Sequence, residues 1–205
     1  MNSYTTVLER SYFEFEDRKS VFIGEATPVS TEAEALQFIS EIKKKYPDAR
    51  HHVYAYVLRE NFITRFTDDR EPQGTAGMPV LDVIRKSGCT DTVIVVTRYF
   101  GGTLLGTGGL VHAYTEAALG ALRNAKVVTY SLRSEYSVTL TYQDYQRVLS
   151  ELSGLGFKTD GTDFGAEVVI RGSVLVDGAG DFEEGIREIT AARAKCVKIG
   201  EKFGF

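Results

Sequence analysis

A glycine-rich segment between Thr97 and Ala118 is the first candidate for chemistry in this sequence. It reads TRYFGGTLLGTGGLVHAYTEAA, with five glycines from Gly101 to Gly109, and it runs directly into a pattern typical of a helix. Such segments often bind phosphate, because the first amides of a helix are unpaired and carry partial positive charge. The candidate binding residues are Arg98, Tyr99, Gly101, Gly102, Gly106, Thr107, Gly108, Gly109 and His112.

The segment partly matches two nucleotide-binding motifs, and each match fails at one residue. Gly101 and Gly106 have the glycine spacing of a P-loop, but Thr107 stands where the phosphate-binding lysine is required. Gly106 and Gly108 begin a Rossmann pattern, but Val111 occupies the third glycine position. Neither motif therefore keeps the residue that carries its chemistry.

A general anion site remains after these motifs are set aside. We expect a helix that begins near Gly109, with Thr107 available as its cap and Arg98 as the main cationic contact. Tyr99 or Phe100 would offer a ring on which a base can stack. The alternative is that the glycines only permit positive φ angles and close packing of strand against helix. Both interpretations stay open at this point.

A second loop, FTDDREPQGTAGMP, has the same character, because carboxylates and glycines precede a pattern typical of a short helix. Its carboxylates could bind Mg²⁺ or act as acid and base, with neighbouring histidines as further ligands. They could equally cap the helix or pair with Arg65 and Arg70, and the sequence favours that structural role. The candidate residues of this wall are His51, His52, Asp68, Asp69, Glu71, Gly74 and Thr75.

Other catalytic patterns receive little support from this sequence. It contains no G-x-S-x-G elbow and no cysteine-rich zinc signature. Cys89 follows the end of a predicted helix, which is the wrong end to lower the pKa of a thiol. The sequence therefore favours a binding protein over an enzyme, and it assigns no catalytic residue, no metal and no cofactor.

Composition limits the class of protein and its setting. The chain has 205 residues, 43% of them hydrophobic, which is ample for a core. Two distant cysteines predict no disulfide framework and favour a reducing cytoplasm, and neither a signal peptide nor a membrane span is recognisable. A formal net charge of −4 does not favour nucleic acid globally, although a local basic face is compatible with it.

The first part of the chain alternates predicted strands and helices. Phe13 and Phe15, then Val21 and Ile23, indicate two strands around a charged turn at Glu16–Lys19. The pattern STEAEALQFISEIKKKYPD predicts a helix with capping-box spacing at its start, and MPVLDVIRKSG predicts a short one. Strands are predicted over HHVYAYVL, NFITRFTDD and TDTVIVVTRYF, and a further helix over GLVHAYTEAALGALRNA.

The pattern changes near Val128–Arg133, where we expect a domain boundary. Beyond it, EYSVTLTY, QDYQRVLSELSGLG, FKTDGTDFG, AEVVIRGSVLV, GDFEEGIREITAA and AKCVKIGEKF give the order βαββαβ. This is the order of a ferredoxin-like unit. The sequence therefore predicts an α+β protein of two domains, residues 1–130 and 131–205.

Three segments of the first domain resemble the signature segments of the IMPACT family, also called the YigZ family in bacteria. They are DARHHVYAY, FTDDREPQGTAGMPVL and VIVVTRYFGGTLLGTGGLVHAY, in the family's order and with roughly its spacing. The remainder is similar to the small domain that bacterial members append. One position departs from the family's pattern: His112 stands where arginine or lysine is usual, and histidine is mostly neutral at pH 7.

The resemblance implies both a fold and a setting. It implies a first domain like the second domain of ribosomal protein S-five and like domain four of elongation factor G, an α/β sandwich. The second domain would be ferredoxin-like and similar to domain five of that factor. Those relatives contact RNA, whereas eukaryotic IMPACT, which is similar only in the first domain, acts by binding proteins of translation control.

These observations leave three hypotheses about function. The leading one is a cytoplasmic binding protein of translation or its regulation, which contacts RNA, the ribosome or a translation-factor-like protein through a cleft between the two loops. The second is a metal-assisted hydrolase that uses Asp68, Asp69 and Glu71 with His51 or His52. The third is a purely protein-binding regulatory module. The oligomeric state stays open.

Overall fold

The apolar segments of the sequence form two sheets in a computed structural model that describes residues 2–205. The strands are β1 (Ser3–Val7), β2 (Ser11–Asp17), β3 (Ser20–Pro28), β4 (His51–Val57), β5 (Thr64–Thr67), β6 (Thr92–Tyr99), β7 (Val127–Leu140), β8 (Lys158–Phe164), β9 (Val168–Leu175) and β10 (Lys195–Gly204). The α-helices are α1 (Glu32–Lys45), α2 (Gly77–Lys86), α3 (Gly106–Asn124), α4 (Tyr142–Glu151) and α5 (Ala179–Ile189).

The chain divides into two compact units. One comprises Tyr4–Thr129, and the other comprises residues 2–3 with Tyr130–Phe205. Strands β2 to β6 form a sheet within the first unit, and each unit has its own hydrophobic core residues. The predicted fold class, α+β with a ferredoxin-like C-terminal part, is confirmed.

The sheet of the first unit has the strand order β2-β3-β6-β4-β5, and its pairs are antiparallel. The central strand β6 is buried on both faces, which explains its uninterrupted apolar run. Ile94 and Val96 belong to the core beneath α2 and α3, whereas Val93 and Val95 pack with α1 on the other face. The unit is therefore a sheet between two helical layers.

The start of α1 agrees with the capping signal in the sequence, whereas the start of α3 does not agree with the predicted one. The expected cap of α1 is present, since the Thr31 hydroxyl accepts the Glu34 N–H and the Glu34 carboxylate accepts the Ser30 N–H. Helix α3 begins at Gly106, three residues before the expected start near Gly109. Thr107 therefore lies inside the first turn, and the prediction that it caps the helix is wrong. The cause is the run of glycines, because glycine is a poor helix former and its presence indicates a later start.

The second unit has the predicted order β7-α4-β8-β9-α5-β10. Its antiparallel sheet runs β10-β7-β9-β8, and α4 and α5 share one core with the inward face of that sheet. Tyr136, whose ring contacts that of Phe182, is buried in this core. Alternating residues of β7 supply the inner face, which is the period-two pattern expected of a half-buried strand.

Candidate functional site

The two loops that carry the special residues of the first unit meet in the structure and enclose a cleft of about 320 Å³. We call it the arginine cleft, because three arginines line it and only one carboxylate does. Its lining residues are Arg50, His51, Arg70, Glu71, Pro72, Arg98, Phe100, Leu104, Leu105, Gly106, Thr107 and Leu110.

Strand pairing brings the two loops together. His51 at the start of β4 lies opposite Arg98 near the end of β6, so both side chains share the face that carries α2 and α3. Asp69 ties the acidic loop to the same place. Its carboxylate accepts the His52 N–H at 2.6 Å, and its carbonyl oxygen lies 2.8 Å from His51 Nδ1. Asp69 and Arg70 both have positive φ angles, which turn the loop back on the strand.

The carboxylate of Asp68 caps the N-terminus of α2. It accepts the N–H groups of Gly74, Ala76 and Gly77 at 2.9, 3.1 and 2.7 Å. The residue that precedes the helix, Ala76, has no side-chain capping bond of its own. A carboxylate at a helix N-terminus is stabilised both by these bonds and by the helix dipole. Asp68 therefore serves the structural role that the sequence favoured for this loop.

Glu71 and Arg98 form a buried ion pair at the floor of the cleft. Arg98 Nη1 donates to Glu71 Oε1 at 2.6 Å, and the Tyr114 hydroxyl donates to the same oxygen at 2.8 Å. Burial, followed by the charge of Glu71, raises the pKa of Tyr114, so its hydroxyl stays a donor. His51 Nε2 stands 3.7 Å from that oxygen. The cluster joins the acidic loop to the central strand.

The Arg98 guanidinium is nearly sealed from solvent, with 5% of the residue exposed. Nη2 donates to the Ser20 hydroxyl at 3.4 Å, but Nε is buried with no hydrogen-bond partner among the described residues. An unpaired buried donor is uncommon in folded proteins. The exposed cations of the cleft are instead Arg50 and Arg70, and Arg70 Nη2 donates to the Arg50 carbonyl at 3.1 Å.

Helix α3 presents an uncapped N-terminus to the cleft. The residue before it, Leu105, provides no side-chain hydrogen bond to the first amides. Gly106 and Thr107 line the cleft, and both are exposed, as is Gly108. The first four amides of a helix have no partner within the helix, so these donors are available to a ligand or to water.

Packing accounts for some of the glycines of this loop. A Cβ atom at Gly101 would lie 1.9 Å from the Lys19 carbonyl carbon, and Gly102 and Gly106 have φ angles of +86° and +73°. Gly108 differs, because a Cβ there would meet nothing within 4 Å and its φ is outside the left-handed range. Alanine would be more stable by about 0.5–1 kcal/mol in a helix. Neither packing nor φ explains Gly108.

The sequence-predicted residues divide between the cleft and its surroundings. Those that line it are His51, Glu71, Arg98, Gly106 and Thr107. Those outside the lining are His52, Asp68, Asp69, Gly74, Thr75, Tyr99, Gly101, Gly102, Gly108, Gly109 and His112. Sequence reasoning did not select Arg50, Pro72, Leu104, Leu105 or Leu110, and it considered Arg70 only as an ion-pair partner of the carboxylates. Arg50 adjoins a selected histidine, which was the available signal for it.

His52 shows why the pair of histidines does not act together. It lies opposite Thr97 on the face away from the cleft, and its Nε2 is 3.0 Å from the Tyr46 carbonyl oxygen. Burial lowers the pKa of His52, so its ring is neutral and structural. Because strand side chains alternate, adjacent histidines point to opposite faces.

The carboxylates of the acidic loop do not converge as metal ligands. Asp68 binds amides, Asp69 binds the His52 N–H, and Glu71 pairs with Arg98. Over residues 2–205 no group of three or more His, Cys, Asp or Glu side chains could hold a metal ion. These contacts remove the observation that motivated the hydrolase hypothesis.

The cysteines lack the features of a nucleophile. Burial raises the pKa of Cys89, and burial followed by the charge of Glu183 raises the pKa of Cys196 to about 11. Both thiols are free. A thiol with a raised pKa is mostly protonated at neutral pH and reacts slowly.

A second opening, which we call the α2–α3 groove, lies between those helices and has a volume of about 550 Å³. Its lining residues are Gly74, Met78, Pro79, Asp82, Val83, Lys86, Ser87, Val111, Thr115 and Leu119. The groove is mostly apolar and carries one acid and one base. Across the described residues, none of the helices combines the length and the apolar character needed to span a membrane.

Two family models match the chain. Residues 18–122 match the Impact N-terminal domain, and residues 138–193 match a domain of unknown function, DUF1949. The first match contains every lining residue of the arginine cleft. The family signal and the geometry therefore fall on the same unit.

Relatives cover either most of the chain or about half of it. IMPACT family member YvyE of Bacillus subtilis is 37% identical over 98% of this chain and 93% of its own. IMPACT family member YigZ of Escherichia coli is 31% identical over 91% and 93%. Protein IMPACT of Xenopus laevis is 31% identical over 47% of this chain and 32% of its own. A crystal structure titled as that of a hypothetical protein aligns over 98% of both chains, with 30% identity and a TM-score of 0.62.

Proposed function

Since this chain belongs to the IMPACT family, we propose that it is a binding protein of translation or its regulation that contacts RNA through the arginine cleft. The resemblance of its two parts to RNA-contacting domains of the translation machinery supports this assignment. The setting that we propose is the cytoplasm, in keeping with two free cysteines.

One observation carries the proposal: an acidic chain concentrates cationic groups in one cleft. The formal net charge of the protein is −4, yet three arginines and the uncapped start of α3 face a space with a single carboxylate. That carboxylate, Glu71, is already paired with Arg98. Arg50 and Arg70 are exposed, and the Asp69 carboxylate, which is outside the lining and accepts the His52 N–H, lies 3.9 Å from Arg70 Nε. The lining therefore has more cationic than anionic groups, which suits phosphate.

The remaining lining residues suit a nucleic acid better than a simple anion. Phe100 is partly exposed, and the guanidinium carbons of Arg50 and Arg98 lie 5.6 Å from its ring centre. A base stacked on an aromatic ring contributes about 1–3 kcal/mol to binding. The exposed Leu104 extends the apolar surface beside that ring. Phosphate contacts and a stacking surface thus adjoin each other.

Binding of single-stranded RNA and of ribosomal fractions at several salt concentrations tests the proposal. The variant Arg50→Ala/Arg70→Ala should weaken RNA binding and lower the salt slope by about one for each arginine that binds a phosphate. Arg123→Ala is the matched control, because Arg123 is exposed in the last turn of α3, at the other end of the same helix. It should leave both quantities unchanged.

The result that overturns the proposal is equal binding by wild type and the double variant. An Arg123→Ala effect about half that of the double variant would also overturn it, because binding would then follow the number of charges removed and not the cleft. Thermal unfolding of each variant ensures that only folded protein is compared. Arg50 and Arg70 are both exposed, so their removal leaves the core intact.

The α2–α3 groove favours a second candidate function, that of a protein-binding regulatory module. The groove is larger than the arginine cleft and mostly apolar, with Val111 and Leu119 on its α3 side. Protein IMPACT of Xenopus laevis is similar to 47% of this chain. Val111→Asp should leave RNA binding unchanged under the leading proposal. Loss of RNA binding in this variant would place the RNA outside the arginine cleft.

A further inference from the structure

The size of the arginine cleft points to one small ligand. Its volume of about 320 Å³ lies at the lower end of the range for small-molecule pockets, which is about 300–1,000 Å³. A nucleic-acid strand that passed through would need room for neighbouring nucleotides on both sides. One nucleotide unit that ends in the cleft needs no such room.

The polar end of the cleft is suited to a doubly charged group. The exposed amides of Gly106 and Thr107 begin a helix of 19 residues, and Arg50 and Arg70 stand in the same lining. A terminal phosphate carries a charge of about −1.5 to −2 near neutral pH. An internal phosphodiester carries a single charge, so two arginines and a helix N-terminus match the terminal group better.

A second observation, independent of the helix, points to a ligand here. The Arg98 side chain lines the cleft, is more than nine-tenths buried and keeps Nε without a partner among residues 2–205. A buried donor of this kind calls for an acceptor.

The apolar end of the cleft is suited to a base. Phe100 and Leu104 lie in the loop that leads to α3, and Leu110 and Pro72 complete that side. Leu104 is 82% exposed, so its side chain is accessible to a ligand in the cleft. Flat apolar surface next to a phosphate site is the arrangement that a nucleotide requires.

We infer that the arginine cleft binds one nucleotide through a terminal phosphate, placed between the start of α3 and the Arg50–Arg70 pair, with its base against Phe100. The inference rests on the proposed function and specifies which part of an RNA enters the cleft. A phosphorylated 5′ end of RNA and a free nucleoside monophosphate share this chemistry. The experiment below separates the two sources.

The test compares four probes with the full chain by calorimetric titration: AMP, adenosine, and one short single-stranded RNA with either a 5′-phosphate or a 5′-hydroxyl. We expect the 5′-phosphorylated RNA to bind about tenfold or more tightly than the hydroxyl form. AMP should likewise bind more tightly than adenosine. Arg50→Ala/Arg70→Ala should abolish the preference for phosphate, whereas the control Arg123→Ala should keep it.

One further variant makes the test independent of the arginines. Leu104→Asp places a negative charge in the cleft at an exposed position, so it should reduce the phosphate preference without unfolding the protein. A preference for phosphate that survives both the arginine double variant and Leu104→Asp overturns the inference, because the phosphate must then bind elsewhere.

The remaining outcomes separate this inference from the proposed function. Equal binding of the two RNAs, still dependent on Arg50 and Arg70, overturns the terminal-phosphate inference and leaves the RNA-binding proposal standing. Binding of AMP with no binding of either RNA supports the inference with a free nucleotide as its source and overturns the RNA proposal. If neither AMP nor RNA binds, both are overturned.

Discussion

Two helices of the first unit begin after glycine-containing loops, and their N-termini differ in one respect. At α2 the carboxylate of Asp68 accepts three amide N–H groups. At α3 the preceding residue, Leu105, provides no such bond, and the first turn is exposed beside a cluster of arginines. Both loops combine glycines with polar residues in the sequence. The amides at the start of α2 therefore have a structural partner, whereas those at the start of α3 are available to a ligand.

The largest expected effect concerns the ion pair that joins the two loops. Arg98→Met leaves Glu71 buried without its cation, and we expect a decrease of about 3–5 kcal/mol in the free energy of unfolding. The double variant Arg98→Met/Glu71→Gln should recover most of that decrease, because no uncompensated charge remains. Urea unfolding measures both. An Arg98→Met variant as stable as wild type would show that the pair does not hold the loops together.

The next effect compares the two helix starts directly. Asp68→Ala removes the acceptor of three amides at α2, and we expect the unfolding free energy to fall by about 2 kcal/mol. Thr107→Ala, in the first turn of α3, should change it by less than about 0.5 kcal/mol. Chemical denaturation of the two variants decides the matter. Similar decreases in the unfolding free energy at both positions would show that the two helix starts do not differ in how they are capped.

A smaller effect of opposite sign is expected at Gly108. Gly108→Ala should raise the unfolding free energy by about 0.5–1 kcal/mol, because alanine favours the helix and its Cβ meets nothing. Gly102→Ala is the control, since its φ of +86° makes a side chain unfavourable and the variant should be less stable than wild type. A destabilised Gly108→Ala protein would return this glycine to a structural role.

The smallest effect is a dependence on pH at the base of the acidic loop. Burial keeps the pKa of His52 below its unfolded value of about 6.5, so the unfolded chain binds the proton first. The contribution of His52 is fully present above the unfolded pKa and is lost as the pH falls below it. His52→Gln should therefore flatten the stability profile between pH 7 and 5, measured by denaturation. His112→Gln, on the exposed side of α3, is the control and should leave the slope unchanged.

Much of the fold could be predicted from the sequence, because its signals are local. The capping pair of α1 and the apolar run of β6 correspond to elements of the structure. The sequence pattern places the start of α3 three residues late, because helix propensity disfavours glycine whereas the structure continues the helix through Gly106 and Gly108. Propensity is a weak guide wherever tertiary contacts hold a turn in place.

The candidate site could be predicted only in part. Arg98 of β6 and Glu71 of the acidic loop are recognisable as charged residues, but their mutual pairing depends on the approach of that loop to the strand in space. Arg50 and Arg70 become a cationic pair only because Asp69 holds the acidic loop against the start of β4. A sequence shows charges and not their partners, so it does not tell a paired arginine from an exposed one.

By itself, the sequence determined the order of the strands and helices that follow β1, the division of apolar faces and the presence of two special loops, because periodicity and caps act over a few neighbouring residues. Tertiary structure alone decided which helix starts are capped by a side chain and which arginines stay exposed. The Asp68 carboxylate accepts amide N–H groups at the start of α2, whereas Leu105, the residue before α3, provides no side-chain hydrogen bond to the first amides of that helix. That difference arises from contacts between residues distant in the chain, since a donor is satisfied or free only once the folded chain brings, or fails to bring, an acceptor to it.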